Sequence, residues 1–345
     1  MVNLMKTKYI IIAALAAMAL ANTSCEKVSP QGVLMAGTAV EDRVQMSNLY
    51  YKEHLFEMKF NYDLMDKHDE YTFLVGGDSH VTTDPGRMDE MFAIGLEGDD
   101  LFYAHLGDIA DTKAEYYIVL DSLLDEAKKR YVVENYVQNE YGRWVHKTHP
   151  EDIIGSTYEE IRFPFFPVVG NHDLTHNGWA LWSNIFGSSF YTFDVMIDDG
   201  SEGGEPIYDH FIFLDTASGT LGKTQIDLIE DGVLDGWYKY RHTFVFSHTN
   251  LFRPSSMQFA STFSREETFF LLQQFDEWCT TAVFCGHVHA WDDRVYNDVT
   301  YLTLDSMSER NSPEPGDYLV RVHVKKDGDW SWEKVHMDYV APKKK

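Results

Sequence analysis

The sequence predicts an α/β fold, because short apolar runs alternate with stretches of helical composition. Each run leads directly into a turn that carries Asp, Asn or His. Continuous apolar runs are typical of strands buried on both faces. Because α/β folds place their sites where strands stop and loops begin, we expect the polar residues after the runs to lie together. The runs are residues 71–75, 101–106, 165–169, 243–246 and 282–285.

Helical stretches separate these runs, and the alternation by itself favours parallel strands. Another helix is predicted within residues 41–67, a stretch rich in Met, Leu, Tyr and charged residues and without Gly or Pro. After the last run the pattern changes to the alternation of antiparallel strands. We predict helices at 89–96, 113–130, 224–231 and 265–279, and late strands at 300–304, 318–324 and 330–336.

The span 131–162 is aromatic and charged and has no clear periodicity. It is predicted to be an insertion. Two interpretations remain open from the residues alone: a lid or substrate wall near the site, or an inert surface elaboration.

The N-terminus has the pattern of an export signal. Lys6 and Lys8 precede an apolar stretch, residues 9–21, that is too short to span a bilayer. Small residues then lead into Cys25, which resembles a bacterial lipoprotein cleavage site; an ordinary secretory signal with an incidental Cys is the alternative. We therefore predict a signal peptide at 1–25 and an exported protein at the periplasm or cell surface. The lipid on Cys25 would be its only membrane anchor, and which bacterial membrane holds it stays open.

Charge and cysteine content exclude several classes of protein. The chain has 29 Lys and Arg against 55 Asp and Glu, a formal net charge of −26. Bulk nucleic acid is therefore not an expected partner, since binding a phosphate backbone requires basic grooves. The chain has only 3 cysteines, too few for a disulfide-built scaffold. Cys285 ends an apolar run and is predicted to be a buried apolar side chain.

The turns after the runs supply seven side chains suited to divalent metals. They include carboxylates, imidazoles and one amide, and one ion needs only four to six ligands. Seven ligands with one shared carboxylate therefore indicate two ions side by side, and Mn, Fe and Zn all fit such mixed nitrogen and oxygen ligands. The candidate ligands are Asp78, His80, Asp108, Asn171, His248, His287 and His289.

The spacing within the motifs suggests how they would bind ions. In an extended strand end, Asp78 and His80 would point the same way and hold one ion together. His287 and His289 have the same spacing next to a loop, so they could serve two neighbouring ions. Gly107 and Gly170 directly precede candidate ligands, where the chain must turn sharply and approach closely.

Two ions in such a site lower the pKa of a shared water and neutralise a phosphoryl group. His172 is the candidate for stabilising or protonating the leaving oxygen. Asp111 is predicted to hydrogen-bond to His172 and orient it, and Asp173 is the alternative. His176 and Arg253 are further candidate phosphate contacts, although both also fit ordinary surface roles. His105 and His210 are expected to be core histidines.

The ordered motifs Asp-x-His, Gly-Asp-x-x-Asp, Gly-Asn-His-Asp, His and Gly-His-x-His resemble the calcineurin-like metallophosphoesterase superfamily over residues 71–290. The resemblance implies a β-sandwich of mixed sheets flanked by helices, rather than a purely parallel sheet. The domain of this type is predicted at 69–341, and residues 26–68 before it are predicted from their composition to be an N-terminal extension. The resemblance also implies one ion on Asp78, His80, Asp108 and His289, and a second on Asp108, Asn171, His248 and His287.

The expected activity is hydrolysis of a small-molecule, lipid or sugar phosphoester by metal-activated hydroxide. Monoester and diester substrates both fit a two-ion site. The alternative from another class is a catalytically silent cell-surface binding or scaffold protein on the same fold. The sequence does not indicate an oligomeric state.

Overall fold

The computed structural model describes residues 39–47, 62–111, 113–201, 203–230, 240–252 and 263–341. The described strands form two large sheets and one small hairpin. In chain order they are β1 (Tyr71–Gly76), β2 (Tyr103–His105), β3 (Tyr136–Gln138), β4 (Trp144–His146), β5 (Phe165–Pro167), β6 (Tyr191–Asp198), β7 (Ile207–Phe213), β8 (Tyr240–Ser247), β9 (Ala282–Cys285), β10 (Asp292–Tyr296), β11 (Val299–Thr303), β12 (Gly316–Val324) and β13 (Trp330–Met337).

The described helices lie mainly between the strands. A short 3₁₀ helix, His172–Asn177, precedes one of them. They are α1 (residues 40–47), α2 (Tyr62–Met65), α3 (Gly86–Glu97), α4 (Ala114–Asn135), α5 (Gly178–Phe186), α6 (Gly222–Glu230) and α7 (Arg265–Glu277).

Both large sheets are mixed. The first has the order β13–β12–β1–β2–β5, in which β1, β2 and β5 are parallel and β12 is antiparallel to β1. The second has the order β10–β11–β9–β8–β7–β6, with β7, β8, β9 and β11 parallel and the two edge strands antiparallel. The predicted β-sandwich of mixed sheets flanked by helices is confirmed, and the purely parallel sheet that the alternation alone favours is wrong.

The core has an apolar layer between the sheets and one outside each of them. In the central layer Phe73 stacks on Phe102, with ring centroids 4.8 Å apart, and meets Phe211 edge-on. The outer layers pack α3, α4 and α5 against the first sheet and α6 and α7 against the second. Strands with helices on the outside and a sheet on the inside must be apolar on both faces, which explains the uninterrupted apolar runs.

Part of the predicted 26–68 extension packs into the apolar core. Val40 and Val44 of α1 join the apolar layer beneath α6 and α7, and Leu64 of α2 joins the layer between the sheets. The predicted signal peptide and Cys25 lie outside the described residues. Within the described part of the chain, no helix is long and apolar enough to cross a bilayer.

The predicted insertion lies at the edge of the sandwich opposite to the ends of β1, β2 and β5. Helix α4 starts close to Asp111 and is 22 residues long, so its end is about 33 Å from its start. The β3–β4 hairpin follows it there, and His146 Nε2 of β4 lies 3.0 Å from Asp63 Oδ1 of α2. Tyr131 of α4 also donates to Asp63, and His149, just after β4, has its Nε2 2.7 Å from Asp66, just after α2. The span therefore lies away from the candidate ligands, a position that favours a surface elaboration over a lid or substrate wall.

The predicted core residues behave as expected. Cys285 is buried, and burial raises its thiol pKa to about 12. His105 is fully buried, where Gly107 N donates to its Nδ1 at 3.2 Å and its Nε2 lies 3.0 Å from Ser79 Oγ. His210 is also buried and stacks on Tyr240, with ring centroids 4.2 Å apart.

Candidate metal centre

The seven candidate ligands follow the C-terminal ends of five strands, three in one sheet and two in the other. Parallel pairing within each sheet brings these ends to one edge of the sandwich. The turns after β1, β2 and β5 therefore face the turns after β8 and β9 across that edge. The structure brings all seven residues together there, and it divides them into two groups.

The first group contains Asp78, His80, Asp108 and His289, whose potential ligand atoms lie within 4.8 Å of one another. His289 Nε2 is 3.2 Å from Asp78 Oδ1 and 3.4 Å from His80 Nε2. Two imidazole nitrogens that face each other beside a carboxylate suit a cation, because each nitrogen in its neutral acceptor form presents a lone pair.

The second group contains Asp108, His248 and His287, with the amide of Asn171 beside them. His248 Nε2 is 2.9 Å from Asn171 Oδ1, 3.1 Å from His287 Nδ1 and 3.5 Å from Asp108 Oδ2. Asp108 Oδ2 is also 3.9 Å from His80 Nε2. The carboxylate of Asp108 thus lies between the two groups.

The backbone at the ligands is not extended. Asp78 and His80 have φ values of 51° and 45°, after β1 has ended at Gly76. Asp108, His287 and His289 also have positive φ, at 53°, 70° and 53°. The predicted extended backbone at Asp78 and His80 is therefore wrong, although the two side chains do meet. They reach one point because each occupies a left-handed conformation, a strain typical of functional sites.

Two glycines allow the turns to approach. A Cβ on Gly170 would lie 2.0 Å from the backbone nitrogen of Asp108, so no other residue fits between these turns. Gly107 has φ +89°, and a Cβ there would lie 2.8 Å from His248 Nδ1. Both glycines were expected at close approaches, and the structure gives the partner of each.

The charges of the site suit cations. Burial opposes ionisation of Asp78, but the hydrogen bond from His289 and the nearby imidazoles hold the pKa of Asp78 below its usual value. Burial also opposes ionisation of Asp108, and His248 and His80 outweigh it to lower that pKa. Burial lowers the pKa of His80, whereas Asp78 outweighs burial and raises that of His289. Ionised Asp78 and Asp108 and neutral His80 are in the forms that bind metal, whereas His289 would release a proton when a cation binds.

His172 stands at the mouth of the first group. Its side chain is 39% exposed, and its ring meets the His80 ring edge-on with centroids 4.7 Å apart. Its Nδ1 is 3.7 Å from Asp111 Oδ1, within ion-pair distance but longer than a hydrogen bond. His172 and Asp111 are therefore neighbours, as predicted, but this distance is too long for the predicted hydrogen bond.

Asp173 has another task. Its carboxylate accepts hydrogen bonds from the amides of Gly170 at 2.9 Å and Ile109 at 3.1 Å, and from the Tyr117 hydroxyl at 3.1 Å. Burial, followed by the charge of Asp108, raises its pKa to about 7. Asp173 therefore joins the turns after β2 and β5 and is not the partner of His172.

The other predicted phosphate contacts are less informative. His176 is exposed, and Arg253 lies outside the described residues. One residue near the site was not predicted: the guanidinium of Arg310 is 3.6 Å from Asp111 Oδ2, and its side chain is 79% exposed. Arg310 follows β11, which is parallel to β9 and ends at the same edge of the sandwich. Its position after this predicted strand could have indicated that it lies near the site.

No family model and no curated protein matches the sequence. Similar solved structures include GAP50, the anchor in the inner membrane complex of Plasmodium, at 14% identity and TM-score 0.46, covering 79% of this chain and 90% of that one. A dimetal phosphatase from Danio rerio has 12% identity and TM-score 0.46, with coverage of 78% and 99%. A purple acid phosphatase from yellow lupin has 12% identity and TM-score 0.43, with coverage of 81% and 57%. At these TM-scores the superpositions decide nothing about activity, so the resemblance to calcineurin-like metallophosphoesterases rests on the five motifs and the site they form.

Proposed function

We propose that this protein is an exported metal-dependent phosphoesterase whose site holds two divalent ions. The observation that supports this most directly is the position of Asp108. One of its oxygens faces His80 of the first group and His248 of the second, at 3.9 and 3.5 Å. A carboxylate in that position can bridge two cations, and two adjacent cations are a recurrent arrangement in phosphoester hydrolysis.

The donor chemistry of each group fits a divalent ion. Asp78, His80, Asp108 and His289 would hold the first; Asp108, Asn171, His248 and His287 would hold the second. Mn, Fe and Zn all accept such mixed oxygen and imidazole ligands. When bound, the ions would activate a water molecule and neutralise phosphoryl oxygens.

The remaining chemistry belongs to His172. Its ring is partly exposed at the mouth of the site and is oriented by two contacts, Asp111 at 3.7 Å and the His80 ring. We assign His172 to the leaving group, as the donor of a proton to its oxygen or of a hydrogen bond to the phosphoryl group. We assign Asp111 to orienting the His172 ring.

The substrate class follows from the charge balance. A chain with net charge −26 repels anions at long range, so attraction for a phosphate must come from the ions themselves. We propose a small-molecule, sugar or lipid phosphoester, and not a nucleic acid polymer. A lipid-linked substrate would match an enzyme anchored through Cys25.

The test uses metal-stripped protein refilled separately with Mn²⁺, Fe²⁺ or Zn²⁺. Hydrolysis of p-nitrophenyl phosphate is measured beside that of bis-p-nitrophenyl phosphate. We expect metal-dependent turnover, and the preferred ester would separate monoesterase from diesterase. Two bound equivalents of metal without turnover of either compound, or of a panel of sugar and lipid phosphoesters, would contradict the enzyme and support the scaffold alternative.

A further inference from the structure

Arg43 of α1 makes a buried ion pair with Asp215, which follows β7. Both Arg43 and Asp215 have 0% side-chain exposure. Arg43 Nε and Nη2 donate to the two oxygens of Asp215 at 2.8 and 2.7 Å, and Nη2 also donates to Ser218 Oγ at 3.1 Å. A two-point contact of this kind determines both the position and the orientation of the carboxylate.

Asp215 lies in the loop after β7, and this loop supports the turn that carries a candidate ligand. The next residue, Thr216, accepts hydrogen bonds at Oγ1 from the amides of His248 at 2.9 Å and Thr249 at 3.0 Å. Thr249 Oγ1 in turn donates to the Thr216 carbonyl at 2.7 Å. The backbone of His248 is therefore held by the residue next to Asp215.

The His248 ring is held separately. Its Nδ1 donates to the Leu106 carbonyl at 2.7 Å, which leaves Nε2 as the atom that faces Asn171, Asp108 and His287. One hydrogen bond to Leu106 still allows the ring to rotate about it. The direction of Nε2 therefore also depends on the backbone of His248, which Thr216 holds.

We propose that Arg43 is a positioning residue for His248 and thereby sets the affinity of the second metal site. This rests on the two-ion site of the proposed function. Without Arg43, the buried Asp215 carboxylate would lack its main cationic partner, and the loop would have to move to rehydrate it. Thr216 and His248 would move with it. Residues that orient a metal ligand typically contribute about 10- to 100-fold to metal affinity.

Strand β7 offers a matched control at its other end. Arg241 Nη2 is 2.6 Å from Asp209 Oδ2, and their side chains are 15% and 0% exposed. This pair is at the edge of the sandwich away from the ligands. Its loss should lower stability as the loss of Arg43 does, without reaching the metal site.

The experiment titrates metal-free full-length protein with Mn²⁺ and measures bound metal by ultrafiltration and elemental analysis. For wild type we expect two equivalents. Arg43→Ala should weaken the second equivalent by about 10- to 100-fold and leave the first unchanged, and Arg43→Lys should lie between. Arg241→Ala should lower Tm and leave both equivalents unchanged. If Arg43→Ala does not fold, Thr216→Val removes the acceptor for His248 while keeping the ion pair, and should weaken the same equivalent.

Unchanged binding of both equivalents by Arg43→Ala or Thr216→Val would overturn the inference, as would equal weakening in Arg241→Ala. The proposed function is judged by a different readout. A wild-type protein that binds two equivalents and hydrolyses nothing contradicts the enzyme, while a selective loss in Arg43→Ala still supports this role. A wild-type protein that binds fewer than two equivalents contradicts both.

Discussion

The backbone amide of His172 donates a 2.6 Å hydrogen bond to Asp108 Oδ1. The carboxylate that lies between the two ligand groups therefore also holds the turn that carries the candidate acid. Its other oxygen faces His80 and His248. If ions bind at Asp108 as proposed, their binding would be coupled to the placement of His172 through this one side chain.

Asp108→Asn should abolish turnover and weaken binding of both ions. The Asn amide is neutral, so it lacks the negative charge with which a carboxylate bridges two cations. We expect the metal affinity to fall by more than about 100-fold, which is a larger loss than residues that only orient a ligand produce. Metal content and turnover are measured together. Asp121→Asn, on the exposed face of α4, is the matched control. Two equivalents and wild-type turnover in Asp108→Asn would contradict the bridging role.

His172→Ala should lower kcat by about 10²- to 10⁴-fold while metal content stays at the wild-type value. If His172 protonates the leaving oxygen, the loss should be larger for phenyl phosphate than for p-nitrophenyl phosphate, whose phenolate leaves without help. Asp111→Asn should show the same trend with a smaller loss, since the contact is 3.7 Å. Equal losses on both esters would assign His172 to phosphate binding instead.

Asp173→Asn should destabilise the site without removing a ligand. The Asp173 carboxylate accepts hydrogen bonds from Gly170, Ile109 and Tyr117. An Asn turns an NH₂ group toward these donors, and we expect the free energy of unfolding to fall by about 1–3 kcal/mol in urea titrations. Tyr117→Phe, which removes one donor, should cost less. An unchanged free energy of unfolding in Asp173→Asn would show that the turns are held by other contacts.

Stability of the metal-free protein should fall in acid partly because of His105. Burial lowers its pKa from 6.5 to about 3. Between these values the unfolded chain binds a proton that the folded protein does not, so acidification favours unfolding. From pH 7.5 to 4.5, wild type should lose about 2–3 kcal/mol more than His105→Gln, whose amide can still reach Ser79. If the unfolding free energies of wild type and His105→Gln changed in parallel with pH, the predicted contribution of His105 would be contradicted.

Membrane attachment tests the predicted anchor. Cys25→Ser should release the protein from bacterial membranes, because the lipid on Cys25 is the predicted anchor. Membrane and soluble fractions are compared by immunoblot, with Cys279→Ser as the control for an exposed thiol. An unchanged membrane fraction in Cys25→Ser would contradict the lipoprotein signal.

The sequence by itself determined which residues meet. Ligands that each follow a buried apolar run must collect at one edge, because parallel strands end together. This argument needs only local order along the chain, so Asp78, Asp108, Asn171, His248 and His287 could all be placed from sequence.

The tertiary structure decided how they meet and what holds them. Positive φ at Asp78 and His80 is imposed by the packed turns around them, since isolated L-residues avoid it. Asp215, the partner of Arg43, lies 172 residues away, and Ile109, a partner of Asp173, lies 64 residues away, beyond any periodicity. The side of the sandwich occupied by 131–162 depends on the direction and length of α4. Each of these features depends on long-range packing, which local sequence patterns do not encode.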